Sequence, residues 1–188
     1  ETGIAANAVS ISYMAVELGK KIFESLKGCT VMLIGAGEMA ELSARHLVHA
    51  GVSRVVIANR SDEAARQIAD EFGAISVSLD QMDPFLAEAD VIICSTGAPN
   101  YLLTEERTRK ALERRRNRPT CMIDISVPRN IDPAVGNVPN VFLFDIDDLE
   151  SVISSNIRER EREAERAELA RALPGNWVRL DVFQQLYA

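Results

Sequence analysis

Residues 30–40 have the sequence Thr30-Val31-Met32-Leu33-Ile34-Gly35-Ala36-Gly37-Glu38-Met39-Ala40, in which an apolar, β-rich run leads into the pattern G-x-G-x-x-A. A helical pattern follows, and a strand, a glycine turn and a helix in this order are typical of a dinucleotide-binding fold. Gly35 would make the tight turn, Gly37 would let the pyrophosphate approach the backbone, and Ala40 would keep the helix close to the sheet. Taken alone, the short pattern also arises by chance in ordinary α/β turns.

The next apolar run, Val55-Val56-Ile57-Ala58, leads into Asn59, Arg60 and Ser61. At this position, roughly 20 residues beyond the glycines, an NAD site places an Asp or Glu that binds the ribose hydroxyls. An amide, a guanidinium and a hydroxyl suit a 2′-phosphate, which a carboxylate would repel. The pattern therefore predicts NADPH as the cofactor, although an arginine after a surface strand is usually just a solvated charge.

Strand and helix patterns alternate along most of the chain. Strands are predicted at 30–35, 54–59, 75–79, 90–95, 120–126 and 141–144, and helices at 7–24, 38–49, 62–72, 81–88, 104–116 and 149–173. The strand runs are continuously apolar, as in strands that helices cover on both faces. We therefore predict an α/β fold with a doubly wound, mostly parallel Rossmann-type sheet, a flanking N-terminal helix and a long C-terminal helix.

Two further loops fall at the carboxyl edge of this sheet. Ser95, Thr96 and Gly97 follow the fourth strand, and their small or hydroxyl-bearing side chains permit close approach to a ring or ribose, although a simple turn would also explain them. Asp124 lies inside an otherwise apolar fifth strand, where its carboxylate needs donors or a charge partner. Arg129 or a helix N-terminus would supply these, and a structural role for Asp124 is at least as well supported as a catalytic one.

Composition favours a soluble, cytoplasmic protein without a membrane or metal partner. The 188 residues are 47% hydrophobic, and the net charge of −7 with a pI near 5.0 argues against nucleic-acid binding by the whole surface. Cys29, Cys94 and Cys121 lack metal-ligand spacing and are predicted to be buried hydrophobes rather than catalytic groups. His46 and His49 are predicted to be the polar flank of a helix rather than half of a metal site.

Charged segments dominate the second half of the chain. Basic residues are dense between Arg107 and Arg118, and we interpret them as a solvated helix face, with RNA contact as the alternative. In the helix predicted at 149–173 the charge alternates from Arg158 to Glu163, which favours an exposed connecting or partner-seeking helix.

Several of these motifs together resemble the NADP-binding portion of the glutamyl-tRNA reductase family. The resemblance is carried by the segments Asn7–Tyr13, Gly35–Ala40, Ala58–Ser61, Ser95–Pro99, Asp124–Pro133 and Phe144–Leu149. Because these segments are spread over most of the chain, they are far more specific than a glycine pattern alone.

The resemblance implies that NADPH reduces glutamyl-tRNA to glutamate-1-semialdehyde and free tRNA, in tetrapyrrole (porphyrin and heme) biosynthesis. In the family the substrate forms a thioester on a cysteine of an N-terminal catalytic domain, and a C-terminal region makes the full-length enzyme a homodimer. The implied division is a linker helix at 1–26, the NADP-binding domain at 27–147, and a connecting helix with the start of the dimerisation region at 148–188. Because that catalytic domain is expected to be missing here, we assign no catalytic residue and expect this chain alone to be inactive.

Twelve residues are expected to bind the cofactor. They are Gly35, Ala36, Gly37, Glu38, Met39, Ala40, Asn59, Arg60, Ser61, Ser95, Thr96 and Gly97. Two alternative functions share the cofactor pattern: a shikimate-dehydrogenase-like NADP reductase, and a non-catalytic NADP-binding module in which nucleotide occupancy changes a partner contact.

Overall fold

A computed structural model describes the backbone of residues 2–152 and the side chains of residues 11–152. The helices are α1 (Thr2–Phe23), α2 (Glu38–His49), α3 (Asp62–Phe72), α4 (Asp83–Glu88) and α5 (Glu105–Arg114), and the strands are β1 (Thr30–Ile34), β2 (Arg54–Asn59), β3 (Ile75–Ser78), β4 (Val91–Cys94), β5 (Thr120–Asp124) and β6 (Val141–Asp145). Two short 3-10 turns lie at Leu79–Gln81 and Pro133–Asn137. Contacts group Glu1–Glu150 into one compact unit, and the unit that follows it lies almost wholly outside the described residues.

The six strands form one parallel sheet in the order β3-β2-β1-β4-β5-β6, which confirms the predicted doubly wound fold. Every residue from Val31 to Ile34, from Val91 to Cys94 and from Thr120 to Asp124 is buried, because helices shield these strands from solvent. In the register, Ile34 pairs with both Ala58 and Cys94. The carboxyl ends of β2, β1 and β4 therefore lie side by side at one edge.

Element boundaries differ modestly from those predicted. The helix expected at 81–88 is a 3-10 turn followed by α4, since Pro84 favours the first turn of a new helix over the interior of a longer one. Helix α1 begins at Thr2 rather than residue 7. Residues 146–152 are helical and start the helix predicted at 149–173, whose remainder lies outside the described residues.

A buried arginine organises the opposite, amino-terminal edge of the sheet. The Arg115 side chain is only 1% exposed and pairs with Asp90 at 2.8 Å. Its guanidinium also donates to the carbonyl oxygens of Pro119 at 2.8 Å, Arg118 at 2.9 Å and Ala89. The prediction of a solvated basic face was therefore wrong for Arg115, because the chain that enters β5 places carbonyls around it that need a donor.

The neighbouring basic residues follow the prediction of a solvated face. Arg107 pairs with Asp83, Arg109 with Glu105 and Lys110 with Glu106. Carboxylates of α4 and α5 thus neutralise much of the basic run, which weakens the alternative of an RNA-binding surface at this helix.

Replacing Arg115 with Ala should lower the free energy of unfolding by about 3 kcal/mol, because Asp90 and several backbone carbonyls would lose a buried donor. Urea denaturation followed by circular dichroism measures this change. Arg109→Ala is the matched control, since its exposed ion pair should be worth less than about 1 kcal/mol. Equally small losses in both variants would contradict a structural role for Arg115.

Candidate functional site

The turn after β1 is held against the neighbouring strands by its own backbone. Gly35 donates its N–H to the Ala58 carbonyl at 2.8 Å and has φ of +120°, which side-chain-bearing residues rarely adopt. A Cβ atom at this position would lie 2.0 Å from the Ser95 carbonyl oxygen. Only glycine fits, and the tight turn predicted for Gly35 is confirmed.

The backbone at Gly37 faces open space instead. Gly37 is the N-cap of α2, no side chain caps the helix there, and a Cβ atom would meet no other atom within 4 Å. The first N–H groups of such a helix point outward and favour an anion. Ala40 is buried one turn later, whereas Glu38 is exposed, so its contribution to an anion site would come from its backbone N–H.

The end of β2 presents a second group suited to an anion. Asn59 donates from its amide to the Ser61 carbonyl at 3.2 Å, and the Ser61 hydroxyl accepts the Ala64 N–H as the N-cap of α3. Arg60, between them, is exposed and forms no ion pair or side-chain hydrogen bond with any described residue. Its guanidinium is therefore available to a ligand at this edge of the sheet.

The loop after β4 lies directly beside the glycine turn. Ser95 donates its N–H to the Ile34 carbonyl at 2.8 Å, which extends the pairing of β4 with β1. The Thr96 hydroxyl donates to the Asn130 side chain at 2.6 Å and accepts the Ala98 N–H at 2.9 Å. A Cβ atom on Gly97 would again meet nothing within 4 Å.

The fold thus brings the three predicted segments to adjacent strand ends. Segment 35–40 leaves β1 between segment 59–61 on β2 and segment 95–97 on β4. This is the point where the strand order reverses, and open α/β sheets bind ligands in the crevice there. That the twelve residues contact a cofactor stays a prediction.

Asp124 is held by partners that the sequence did not reveal. Its carboxylate accepts the backbone N–H groups of Ser126 at 3.0 Å, Asn130 at 2.7 Å and Ile131 at 2.7 Å. Arg129, one expected partner, instead pairs with Asp145 at 2.5 Å and Asp147 at 3.2 Å. The expectation of Arg129 or a helix N-terminus was therefore wrong, because three amides of the loop itself already satisfy the buried carboxylate.

Asn130 is the site residue to which sequence reasoning gave no role. Its side chain is completely buried between the loops after β4 and β5. A small amide after Pro128-Arg129 indicates a turn, and no spacing in the sequence predicts that it would bridge to a loop 30 residues away.

The cysteines and histidines do not form a reactive centre. Cys94 and Cys121 are buried, as predicted, whereas Cys29 is only half-buried. Burial raises the pKa of Cys121 to about 12 and, together with Asp124, raises that of Cys94 well above its ordinary value. His46 packs edge-on against Tyr13 with ring centroids 5.6 Å apart. Within the described residues, no three His, Cys, Asp or Glu side chains are arranged to hold a metal ion.

Comparison with known families assigns most of the chain to one of them. The sequence profile described as Shikimate / quinate 5-dehydrogenase matches residues 17–152. This range covers the whole sheet and all three segments of the candidate site.

Individual relatives are glutamyl-tRNA reductases. The protein of that name from Solibacter usitatus is 50% identical over 169 residues, which cover 90% of this chain and 40% of the relative. The one from Desulfatibacillum aliphaticivorans is 52% identical over 168 residues, covering 89% and 39%. The predicted resemblance is confirmed, and the chain spans about two fifths of the length of these curated relatives.

Solved structures agree with this result. Glutamyl-tRNA reductase from Methanopyrus kandleri has a TM-score of 0.79 and 37% identity, with coverage of 85% of this chain and 40% of that one. The nucleotide-binding domain of the Thermoplasma volcanium enzyme has a TM-score of 0.60 at 22% identity, covering 82% of this chain and 96% of that domain. The second similarity supports the fold alone.

The two glycines of the turn should respond differently to the same substitution. Gly35→Ala should lower the free energy of unfolding by at least about 3 kcal/mol, because it combines a forbidden φ with a backbone clash. Gly37→Ala should change it by no more than about 1 kcal/mol, since its Cβ would enter open space. Thermal and urea unfolding of both variants measure the difference. Similar losses would contradict the geometry of the turn.

The two buried thiols, Cys94 and Cys121, should be nearly inert in the folded chain. At pH 8 a pKa of about 12 makes the Cys121 thiolate about a thousandfold rarer than at the ordinary value of 9.0. Iodoacetamide should therefore modify Cys29 first, and Cys94 and Cys121 only after denaturation in guanidinium. Mass spectrometry of peptides identifies the order. Rapid labelling of Cys94 in the native chain would contradict its burial.

Proposed function

The chain belongs to the shikimate / quinate 5-dehydrogenase family, and we propose that it is the NADPH-binding part of a glutamyl-tRNA reductase. One observation carries the proposal: the open N-terminus of α2 follows β1, and the guanidinium of Arg60, which pairs with no described residue, follows the neighbouring strand β2. Backbone N–H groups suit the pyrophosphate of NADPH, and an arginine suits its 2′-phosphate. The name of the relatives, glutamyl-tRNA reductase, indicates the reaction that we propose.

Each part of NADPH has a matching segment at the carboxyl edge. The pyrophosphate binds the backbone from Gly35 to Ala40, where the missing Cβ of Gly37 leaves room for it. The 2′-phosphate binds Asn59, Arg60 and Ser61. The nicotinamide ring lies against Ser95 to Gly97, whose loop faces open space at Gly97.

NADPH supplies a hydride, and the role of this chain is to hold the nicotinamide in position for transfer. In the proposed reaction, the hydride adds to the carbonyl carbon of a glutamyl thioester, the C–S bond breaks, and the thiolate leaves. The products are glutamate-1-semialdehyde and NADP⁺. The thioester arises from glutamyl-tRNA on a cysteine of another domain, and we assign no catalytic residue within the present chain.

The remaining assignments follow from the same proposal. We assign residues 1–26, which include α1, to the linker, 27–147 to the NADPH-binding domain, and 148–188 to the connecting helix and the start of the dimerisation region. Three free cysteines favour a reducing compartment, so we place the protein in the cytoplasm. Within its described part, the chain contains no helix that is long and apolar enough to cross a membrane.

A shikimate-dehydrogenase-like reductase is the second candidate, because the family profile carries that description. Both candidates use the same NADPH site. The relatives at about half identity favour glutamyl-tRNA reductase. NADP⁺ reduction in the presence of shikimate or quinate, measured by absorbance, would favour the second candidate instead.

Arg60→Ala should weaken NADPH binding by about tenfold to a hundredfold while leaving NADH binding unchanged, because only NADPH carries the 2′-phosphate. Isothermal titration calorimetry with both nucleotides measures the two dissociation constants.

Lys110→Ala is the matched control, since it removes the same charge from an exposed pair on α5. It should leave both dissociation constants unchanged. Equal losses for NADPH and NADH in Arg60→Ala would contradict the assigned role of Arg60. Failure of the unaltered chain to bind NADPH would overturn the proposed function.

A further inference from the structure

Asn130 uses its whole side chain to join two loops. Its amide nitrogen donates to the carbonyl oxygens of Ala98 at 2.8 Å and Asn100 at 3.2 Å. Its amide oxygen accepts the Thr96 hydroxyl at 2.6 Å. All three partners belong to the loop after β4, whereas Asn130 belongs to the loop after β5.

The backbone of Asn130 is fixed as firmly as its side chain. Its N–H donates to the buried Asp124 carboxylate at 2.7 Å, and its carbonyl accepts the N–H groups of Leu102 at 2.7 Å and Leu103 at 3.2 Å. Asp124 in turn is the buried last residue of β5, which lies between β4 and β6. Asn130 therefore has a fixed position and holds the loop after β4 in place through its hydrogen bonds.

Between the end of β4 and the hydrogen bond of Leu102 to Asn130, few other hydrogen bonds hold that loop. The Thr96 N–H donates to the Ser126 hydroxyl at 3.1 Å, and the Ala98 N–H donates to the Thr96 hydroxyl. Residues 97–100 lie in no helix or strand, and the space beside Gly97 is open. The position of this segment consequently depends on the Asn130 amide.

We propose that Asn130 is a positioning residue for the nicotinamide end of the NADPH site. This inference rests on the proposed function, which places the ring against Ser95 to Gly97. Asn130 does not touch the cofactor. It holds the backbone of the ring-binding loop in the conformation that receives the nicotinamide, and the adenosine end, bound at Arg60, is independent of it.

Loss of the amide would leave the carbonyls of Ala98 and Asn100 without this donor and the Thr96 hydroxyl without its acceptor. The loop would then exchange these bonds for bonds to water and populate conformations that do not fit the nicotinamide ring. The affinity for NADPH would fall in proportion to the fraction of molecules whose loop keeps the binding conformation. The phosphate-binding backbone at Gly37 and the arginine at Arg60 belong to other loops and would keep their geometry. Loss of the amide should therefore weaken binding of the nicotinamide half of the cofactor and spare the adenosine half.

The test compares two ligands on the whole chain. NADPH contains both halves, whereas 2′,5′-ADP contains the adenosine and 2′-phosphate but no nicotinamide. Asn130→Ala should weaken NADPH binding about tenfold and leave 2′,5′-ADP binding unchanged, as measured by calorimetry. The fluorescence increase of the reduced nicotinamide on binding should be reduced as well.

Asn137→Ala is the matched control, because Asn137 is exposed and its side chain makes no hydrogen bond with the described residues. It should bind both ligands like the unaltered chain. Thr96→Val is the second variant if Asn130→Ala does not fold, since it removes the hydroxyl bond to Asn130 and keeps the side-chain shape. It should weaken NADPH by several-fold and spare 2′,5′-ADP.

The outcomes separate the two proposals. Equal loss of both ligands, or loss of neither, in a folded variant would overturn the role of Asn130 while leaving the NADPH site intact. Binding of neither ligand by the unaltered chain would overturn the proposed function and this inference with it. Selective loss of NADPH supports the inference, because a merely destabilising change would not distinguish the two ligands.

Discussion

The close approach of Gly35 to the Ser95 carbonyl is the constraint on which the carboxyl edge depends. A gap that leaves a Cβ atom only 2.0 Å from a backbone oxygen admits no residue except glycine. It brings the turn after β1 against the loop after β4 at the point where the sheet reverses its strand order. The side-by-side placement of the loops that follow these strands depends on this contact and on the register of β1, β2 and β4.

Buried polar groups extend that constraint to the next strand. The buried carboxylate of Asp124 at the end of β5 would destabilise the sheet if it were alone, but three backbone amides satisfy it. Asn130, whose backbone is hydrogen-bonded to Asp124, in turn hydrogen-bonds the loop after β4 and fixes its position. Since each member of the network is satisfied, its hydrogen bonds offset the cost of burying these groups and hold the loop in one conformation.

The parts that could be predicted from the sequence are those that local rules decide. Continuous apolar runs predicted β1, β4 and β5, and the glycine pattern predicted the turn at Gly35, because strand burial and a positive φ restrict which residues fit. The burial of Arg115 and the partners of Asp124 could not be predicted. Both depend on backbone carbonyls or amides from residues that are distant in sequence or lie in loops. In addition, an arginine in a basic run has the same local sequence pattern whether it is buried or exposed.

The distribution of charge explains how an acidic chain can hold a polyanionic cofactor. The net charge of −7 would repel NADPH at long range, but salt screens exposed charges beyond about 10 Å. Within that distance the candidate site offers the N-terminal dipole of α2 and the Arg60 guanidinium, which pairs with none of the described residues. Arg107, Arg109 and Lys110, in contrast, are neutralised by carboxylates of α4 and α5. Binding at this edge would therefore depend on a few local donors rather than on the total charge, so added salt should weaken it less than it weakens binding to an extended basic surface.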